Sequence, residues 1–230
     1  MSFLTGHELG LVGGYIVLQL LERGQPPESI RIVDFRAPDR DDMSSGLASK
    51  VDFVHTDISS AESTTQAFSK AWHPKLAKLP LTVFHTAAVI VPADRSKLEY
   101  GFCEAVNILG TQHVVDAAKH AGADVFVSTT SASISIRPVE LWVPPWKLFS
   151  ASAPRNYFQA LDDKDFWEPL RKHGDYFANY PASKAAAERI VCRANSDSFR
   201  TGCIRPANGV YGNPTDNTVG GPLNMRTCPT

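Results

Sequence analysis

Thr5-Gly6-His7-Glu8-Leu9-Gly10-Leu11-Val12-Gly13-Gly14 follows a short apolar run at Phe3-Leu4. Tyr15 to Glu22 then reads as a helix closed by Gly24, and Ser29-Ile30-Arg31-Ile32-Val33-Asp34 as a buried-type strand ending in an acid. Strand, glycine turn, helix, strand and acid is the opening of a dinucleotide-binding βαβ unit. Glycines let the backbone approach a pyrophosphate at a helix N-terminus, where unpaired N–H groups and the helix dipole favour anions. Asp34 stands where a carboxylate accepts the adenosine ribose hydroxyls. An ordinary Gly-rich loop fits the same residues equally well, so the rest of the chain must decide.

The alternation continues. Val51-Asp52-Phe53-Val54-His55 is a third strand, followed by Thr56-Asp57-Ile58, where Asp57 suits an adenine amino group or a plain surface turn. Residues 61–72 read as a helix. Leu81-Thr82-Val83-Phe84-His85 is a fourth strand running into Thr86-Ala87-Ala88, whose small side chains let a flat ligand lie against the strand end. A helix is predicted from Tyr100 to His120, with polar Asn107 inside it. Asp124-Val125-Phe126-Val127 is a fifth strand leading into Ser128-Thr129-Thr130-Ser131. Hydroxyls there sit on the C-terminal edge of the sheet, where ligands of open α/β sheets bind. Thr201-Gly202-Cys203-Ile204-Arg205 is a sixth strand, followed by Pro206. The expected fold is α/β: a doubly wound, mostly parallel sheet in the order 3-2-1-4-5-6.

Before the sixth strand stands Asn179-Tyr180-Pro181-Ala182-Ser183-Lys184, then Ala185-Ala186-Ala187-Glu188-Arg189-Ile190-Val191, a strong helix-forming run. Asn179 suits an N-cap and Pro181 the first turn. Tyr180 and Lys184, four apart, share a helix face. An ammonium one turn away favours a phenolate, predicting a lowered Tyr180 pKa and a phenol able to exchange a proton with an alcohol or carbonyl. Chance spacing yields such a pair in roughly one sequence in four of this composition. Its position at a helix start, late in a β/α series and after a hydroxyl-rich strand end, carries the weight.

Residues 137–178 hold five prolines and a dense set of aromatics, among them Trp142, Trp146, Tyr157, Phe158, Phe166 and Trp167. That is too long for a plain connection and reads as an insertion, either packed over the sheet edge or walling an apolar substrate.

Composition bounds the function class. The 230 residues are 43% hydrophobic and 20% charged with a net charge of −1, ordinary for a globular domain and without a basic field for nucleic acid. No apolar run approaches the ~20 residues of a membrane span. Residues 1–20 lack a basic leader, which predicts no signal peptide. Cys103, Cys192, Cys203 and Cys228 show no C-x-x-C spacing, so they read as reduced thiols of a cytoplasmic protein and no metal site is expected.

Taken in order, Thr5-Gly6 with Gly10 and Gly13, Asp34, His85-Thr86-Ala87-Ala88, Asn107-Ile108-Leu109-Gly110-Thr111, Ser131, Tyr180-Pro181-Ala182-Ser183-Lys184 and Ile204-Arg205-Pro206 resemble the extended branch of the short-chain dehydrogenase/reductase superfamily. The likeness is nearest to the 3β-hydroxysteroid dehydrogenase/isomerase family, sterol-4α-carboxylate 3-dehydrogenases of fungal type included, and spans residues 3 to about 214. It implies a catalytic set of Tyr180 as acid/base, Lys184 on the nicotinamide ribose, Ser131 orienting the reacting oxygen and Asn107 supporting the proton relay. It implies a cofactor set of Gly6, Gly10, Gly13, Asp34, Asp57, Ile58, Thr86, Ala87, Ala88, Lys184 and Pro206. The implied cofactor is NAD, with NADP kept open by Arg36. The implied substrate is a small apolar alcohol or ketone of sterol type, and the implied location is cytoplasmic, peripheral to the endoplasmic reticulum. The oligomeric state is left open.

The pattern departs from the family in three places. Gly6 to Gly10 spans one residue more than T-G-x-x-G, with Glu8 inside. The first strand reads as short. The family continues with a substrate domain, whereas this chain ends soon after Arg205, so residues 1–214 read as the dinucleotide-binding domain and 215–230 as a remnant of the substrate domain, which is otherwise missing. The rival expectations are a non-catalytic dinucleotide-binding protein and an extended-branch reductase or epimerase for another substrate.

Overall fold

Six short strands pair in parallel in the order β3-β2-β1-β4-β5-β6: β1 Ser2–Gly6, β2 Ile30–Asp34, β3 Asp52–His55, β4 Thr82–His85, β5 Val125–Thr129 and β6 Arg200–Ile204. The computed structural model describes residues 2–6, 11–90, 95–96, 98–140, 154–160, 162 and 164–207, with residues 2–6 and 11 described for their backbone. Every strand pairing between these elements is parallel. Parallel neighbours need a crossover, and helices provide it. They are α1 Leu11–Glu22, α2 Ala61–Ser69 and α3 Tyr100–Cys103, which runs through a π-helical turn Glu104–Leu109 into α4 Gly110–His120. Among the described residues, the single turn α5 Lys164–Trp167 and the long α6 Asn179–Arg193 complete the set of α-helices.

Alternate residues of the strands face opposite layers, as a period of two requires. Ile30 and Ile32 pack with Val17 and Leu21 of α1 and with Met43. Val33, Val83 and Phe126 pack with Phe68 of α2, Val114 and Val115 of α4 and Val191 of α6. All five residues of β2 are buried, the signature of a strand covered on both faces. Truncating Phe126, which is 0% exposed, removes about 3–5 kcal/mol by the usual cost of a core cavity.

Several local expectations change. Strand β1 is five residues long, as long as β2, because Thr5 and Gly6 still pair with Val33 and Asp34. Helix α1 starts at Leu11 rather than Tyr15, so Gly13 and Gly14 lie inside its first turn and are buried. Helix α2 ends at Ser69, short of the expected residue 72, and is capped by Ser60, whose hydroxyl accepts from Ser63 N–H. Ala178 is the N-cap of α6 and makes no side-chain cap; Asn179 is already helical and donates instead from Nδ2 to the Ser96 carbonyl at 2.8 Å. Pro181 does fall in the first turn, where its missing N–H leaves no helical bond unmade.

The parallel register brings the strand C-termini to one edge. Gly6 of β1 lies opposite Asp34 of β2, and His85 of β4 opposite Ser128 of β5. Beyond β5 and β6 the pairing continues, with Thr130 N–H donating to Ile204 O at 2.7 Å and Ala132 N–H to Pro206 O at 3.0 Å. No disulfide joins Cys103, Cys192 and Cys203. Among the described residues no helix is long and apolar enough to cross a membrane, and no cluster of three or more potential ligands could hold a metal ion.

Candidate active site

Ser131 leaves the end of β5 in extended conformation and caps the 3-10 turn Ala132–Ser135, its Oγ accepting from Ser133 N–H at 3.2 Å and lying 2.8 Å from Ser133 Oγ. The same hydroxyl acts on the phenol of Tyr180, in the first turn of α6, and favours its ionised form. Lys184, one turn further, is 4% exposed and donates from Nζ to the Thr129 carbonyl at 2.7 Å. So the end of β5 receives both α6 side chains, the phenol on Ser131 and the ammonium two residues upstream.

The electrostatics correct one expectation. The Tyr180 phenol is held above the ordinary tyrosine range, because burial disfavours the phenolate more than the neighbouring Ser131 hydroxyl favours it. Lys184 does not offset this. Its own pKa is pushed down to about 8 by burial, opposed by the nearby Cys203 and Glu188. Spacing of four put the two side chains on one face; burial of both decided their protonation.

Asn107 lies in the π-helical turn and is 1% exposed, far from the solvated asparagine that its sequence also allowed. Its Oδ1 accepts from Val89 N–H at 2.8 Å, and its Nδ2 donates to Val89 O at 3.1 Å and to Ser183 Oγ at 2.9 Å. Ser183 Oγ in turn donates to the Tyr180 carbonyl at 2.8 Å. Asn107 therefore ties the segment after β4 to the first turn of α6. His85, also buried, sits with Nε2 2.9 Å from Thr111 Oγ1, whose proton goes to the Asn107 carbonyl at 2.7 Å. That leaves Nε2–H of His85 as the donor to Thr111. Burial, with the Lys184 charge added, lowers the His85 pKa to about 3, so the ring is neutral.

On the other half of the edge, Asp34 is 0% exposed at the end of β2 and accepts from Arg36 N–H at 3.1 Å. Asp57 Oδ1 accepts from Ser59 N–H at 2.9 Å and Ser59 Oγ at 2.7 Å, a turn that fixes the carboxylate after β3. Ile58 is 6% exposed and packs into the core beneath α4. Thr86 and Ala88 are half-buried and Ala87 is buried at the end of β4. Pro206 is held beside Ala132, whose N–H its carbonyl accepts. Gly10 and Glu8 lie outside the described residues, as do Trp142, Trp146, the tail from residue 208 and Cys228. Of the expected set, Ser131, Tyr180, Lys184 and Pro206 come together where β5, β6 and α6 meet, Asn107 reaches α6 from the π turn through Ser183, and Gly6 and Asp34 lie opposite each other on β1 and β2.

Sequence reasoning missed Ser183, Thr129 and Ser133. Ser183 had a signal: a hydroxyl three residues after Tyr180 and next to Lys184, at the head of an alanine-rich run. Thr129 acts through its backbone carbonyl, which no side-chain pattern reveals.

The 3-beta hydroxysteroid dehydrogenase/isomerase family model matches residues 4–138. The sterol-4-alpha-carboxylate 3-dehydrogenase (decarboxylating) of Schizosaccharomyces pombe is 26% identical over 217 residues, covering 94% of this chain and 52% of that protein. The 3 beta-hydroxysteroid dehydrogenase type 7 of Mus musculus is 25% identical over 218 residues, covering 92% and 51%. The chain thus spans about half the length of these relatives. Among solved structures, the UDP-glucose 4-epimerase of Thermus thermophilus in complex with NAD superposes with a TM-score of 0.61 at 22% identity, covering 95% of this chain and 59% of that one, a likeness of fold. With its family model matched over more than half its length, the chain belongs to the 3-beta hydroxysteroid dehydrogenase/isomerase family.

Proposed function

We propose that this chain is the cofactor-binding and proton-transferring part of an NAD-dependent dehydrogenase that oxidises a secondary alcohol on a sterol-like substrate. The observation that carries the reading is the meeting of Tyr180 with Ser131 at the sheet edge, with Lys184 buried one turn away and bonded to the Thr129 carbonyl. The residues present suit a dinucleotide. Buried Gly13 and Gly14 at the start of α1 allow close backbone approach, and Asp34 offers a buried carboxylate across from Gly6. NAD supplies a hydride acceptor at its nicotinamide.

In this reading Ser131 orients the substrate hydroxyl and Tyr180 takes its proton as the alcohol becomes a ketone. Lys184, charged at neutral pH because its pKa is about 8, presents N–H donors to ribose hydroxyls. Asn107 and Ser183 fix the first turn of α6, so the phenol meets Ser131 without searching. Because the Tyr180 phenol is held above its ordinary range, oxidation, which needs a proton acceptor, speeds up as pH rises. The sterol assignment follows the names of the relatives, and exposed Tyr157, Phe158 and Trp167 in the aromatic insertion give it apolar surface.

The test is Tyr180→Phe. NADH formation from a 3β-hydroxysterol should fall by about 10²-fold or more, while NAD affinity stays within a few-fold of the parent. Turnover at the parent rate would refute the proton-transfer role.

A further inference from the structure

Arg205 belongs to a motif that the proton-transfer chemistry leaves unused. It follows β6 directly, and its guanidinium makes three side-chain bonds. Nε donates to Glu188 Oε2 at 2.9 Å and Nη2 to Glu188 Oε1 at 2.5 Å, a two-pronged match to the carboxylate. Nη1 donates to Ser135 Oγ at 3.2 Å. The Glu188 side chain is 4% exposed and that of Arg205 17%. Ser135 ends the 3-10 turn that Ser131 caps. Glu188 lies on α6 four residues after Lys184 and eight after Tyr180, on the same helix face. Pro206, next in sequence, accepts from Ala132 N–H.

One guanidinium therefore joins the end of β6, the turn after Ser131 and the helix of Tyr180 and Lys184. We propose that Arg205 and Glu188 are positioning residues of this site: their bidentate pair sets Ser131, Tyr180 and Lys184 relative to one another and places a carboxylate one helical turn from the lysine. The proposal rests on the dehydrogenase reading for its consequence, but the geometric claim stands apart from it.

A pair that merely glued helix to strand could be replaced by well-packed apolar side chains, since buried ion pairs often contribute little net stability. A positioning pair could not, because the carboxylate also acts on Lys184. Among the described residues, the charged and titratable groups acting on Lys184 are Glu188 from its own helix, Cys203 from β6 and His85 from β4. Those acting on or with Glu188 are Cys203 from β6, Arg205 just after it, and Lys184 and Cys192 on α6, while Asp165 of α5 acts on Arg205. Burial drives the lysine toward its neutral form, and Cys203 first and then Glu188 oppose that.

The experiment compares the chain with Glu188→Gln, Arg205→Lys and the double variant Glu188→Met/Arg205→Met. Lys184 is titrated by NMR of ¹⁵N-lysine-labelled protein, assigned with Lys184→Met, and NAD affinity is measured by calorimetry from pH 6 to pH 9. In Glu188→Gln the Lys184 midpoint should fall, since that opposing carboxylate is gone and Arg205 remains. NAD affinity should fall by about tenfold, most strongly above neutral pH. The Met/Met variant should regain thermal stability without regaining the lysine midpoint. Arg205→Lys, keeping the charge but losing the fork, should keep the midpoint and lose part of the affinity. A Lys184 midpoint unchanged in both Glu188→Gln and Met/Met would overturn the proposal, and if Glu188→Gln does not fold, Met/Met alone decides. Absence of NAD binding by the parent chain would instead sink the dehydrogenase reading, leaving the midpoint measurement to judge the clamp.

Discussion

Asn107 Nδ2 donates to Ser183 Oγ at 2.9 Å, a bond between side chains 76 residues apart. The widened turn Glu104–Leu109 contains Asn107, and the same side chain closes both hydrogen-bonding groups of Val89. A single amide thus links the end of β4, the π turn and the start of α6.

Replacing Asn107 with leucine keeps the volume and deletes these bonds. Val89 N–H and C=O are then left without that partner in a buried place, at about 1–3 kcal/mol for each buried group stranded. The expected loss of stability is about 3 kcal/mol, read as a lower urea midpoint at constant m-value. A loss under about 0.5 kcal/mol would mean that water or a relaxed backbone replaces the amide.

Lys184 makes stability depend on pH in a stated direction. Its pKa is about 8 in the folded chain against 10.5 for an ordinary lysine. Between these values the unfolded chain binds more protons, so unfolding becomes harder as pH rises. The burial penalty is fully felt below about pH 8 and relieved as pH climbs toward 10.5. Subtracting the unfolding free energy of Lys184→Met from that of the parent isolates this residue, and the difference should rise by a few kcal/mol across that window. A flat difference would show that Lys184 keeps its solution pKa.

The order of strands was legible because each apolar run ended in a turn or a small-residue cluster, and because strand, glycine turn, helix and acid occurred in a known sequence. The places of Asp34, Thr86 to Ala88, Ser131 and Pro206 at or just beyond strand ends were legible too, because each follows an apolar run. What could not be read was burial. Tyr180 and Lys184 sit four apart, yet the phenol pKa moves opposite to the spacing argument, because desolvation depends on what covers the edge. Asn179 looked like an N-cap by residue type, but its amide reaches Ser96, 83 residues away, and the cap falls one position earlier. The Glu188–Arg205 pair escaped for the same reason: 17 residues separate partners that only the α6–β6 packing brings together.

Asp34 should decide the cofactor. A buried carboxylate at the end of β2 accepts ribose hydroxyls and repels a 2′-phosphate. NAD should bind at least about tenfold more tightly than NADP, and Asp34→Ser should narrow the gap mainly by weakening NAD. Calorimetry with both dinucleotides checks this. Equal or tighter NADP binding by the parent would assign the dominant role to Arg36, two residues on.

Gly110 offers a test of the packing after β3 that does not touch a polar group. It opens α4 directly after the π turn. A Cβ built there would lie 2.9 Å from Ile58 Cδ1, 3.0 Å from Ile58 Cγ1 and 3.4 Å from Ile58 O. The backbone of Ile58 is held, because its carbonyl accepts from His113 Nδ1 at 2.9 Å. The side chain must therefore give way, and it is packed in the core at 6% exposure. For Gly110→Ala the helix gains about 1 kcal/mol in propensity, and a displaced Ile58 rotamer costs about 0.5–1.5 kcal/mol, so the net change should be near zero. For Gly110→Val the branched side chain meets both Ile58 atoms and loses most of the propensity gain, so about 1–3 kcal/mol should be lost. Ile58→Ala alone costs about 2–5 kcal/mol by leaving a cavity. Combined with Gly110→Val it should cost less than the two single changes added, since the valine then fills the space that Ile58 vacates. Urea unfolding of the three variants and the double gives the coupling. Strict additivity would mean that Gly110 and Ile58 do not share that space, and the close packing of α4 on the segment after β3 would have to be abandoned.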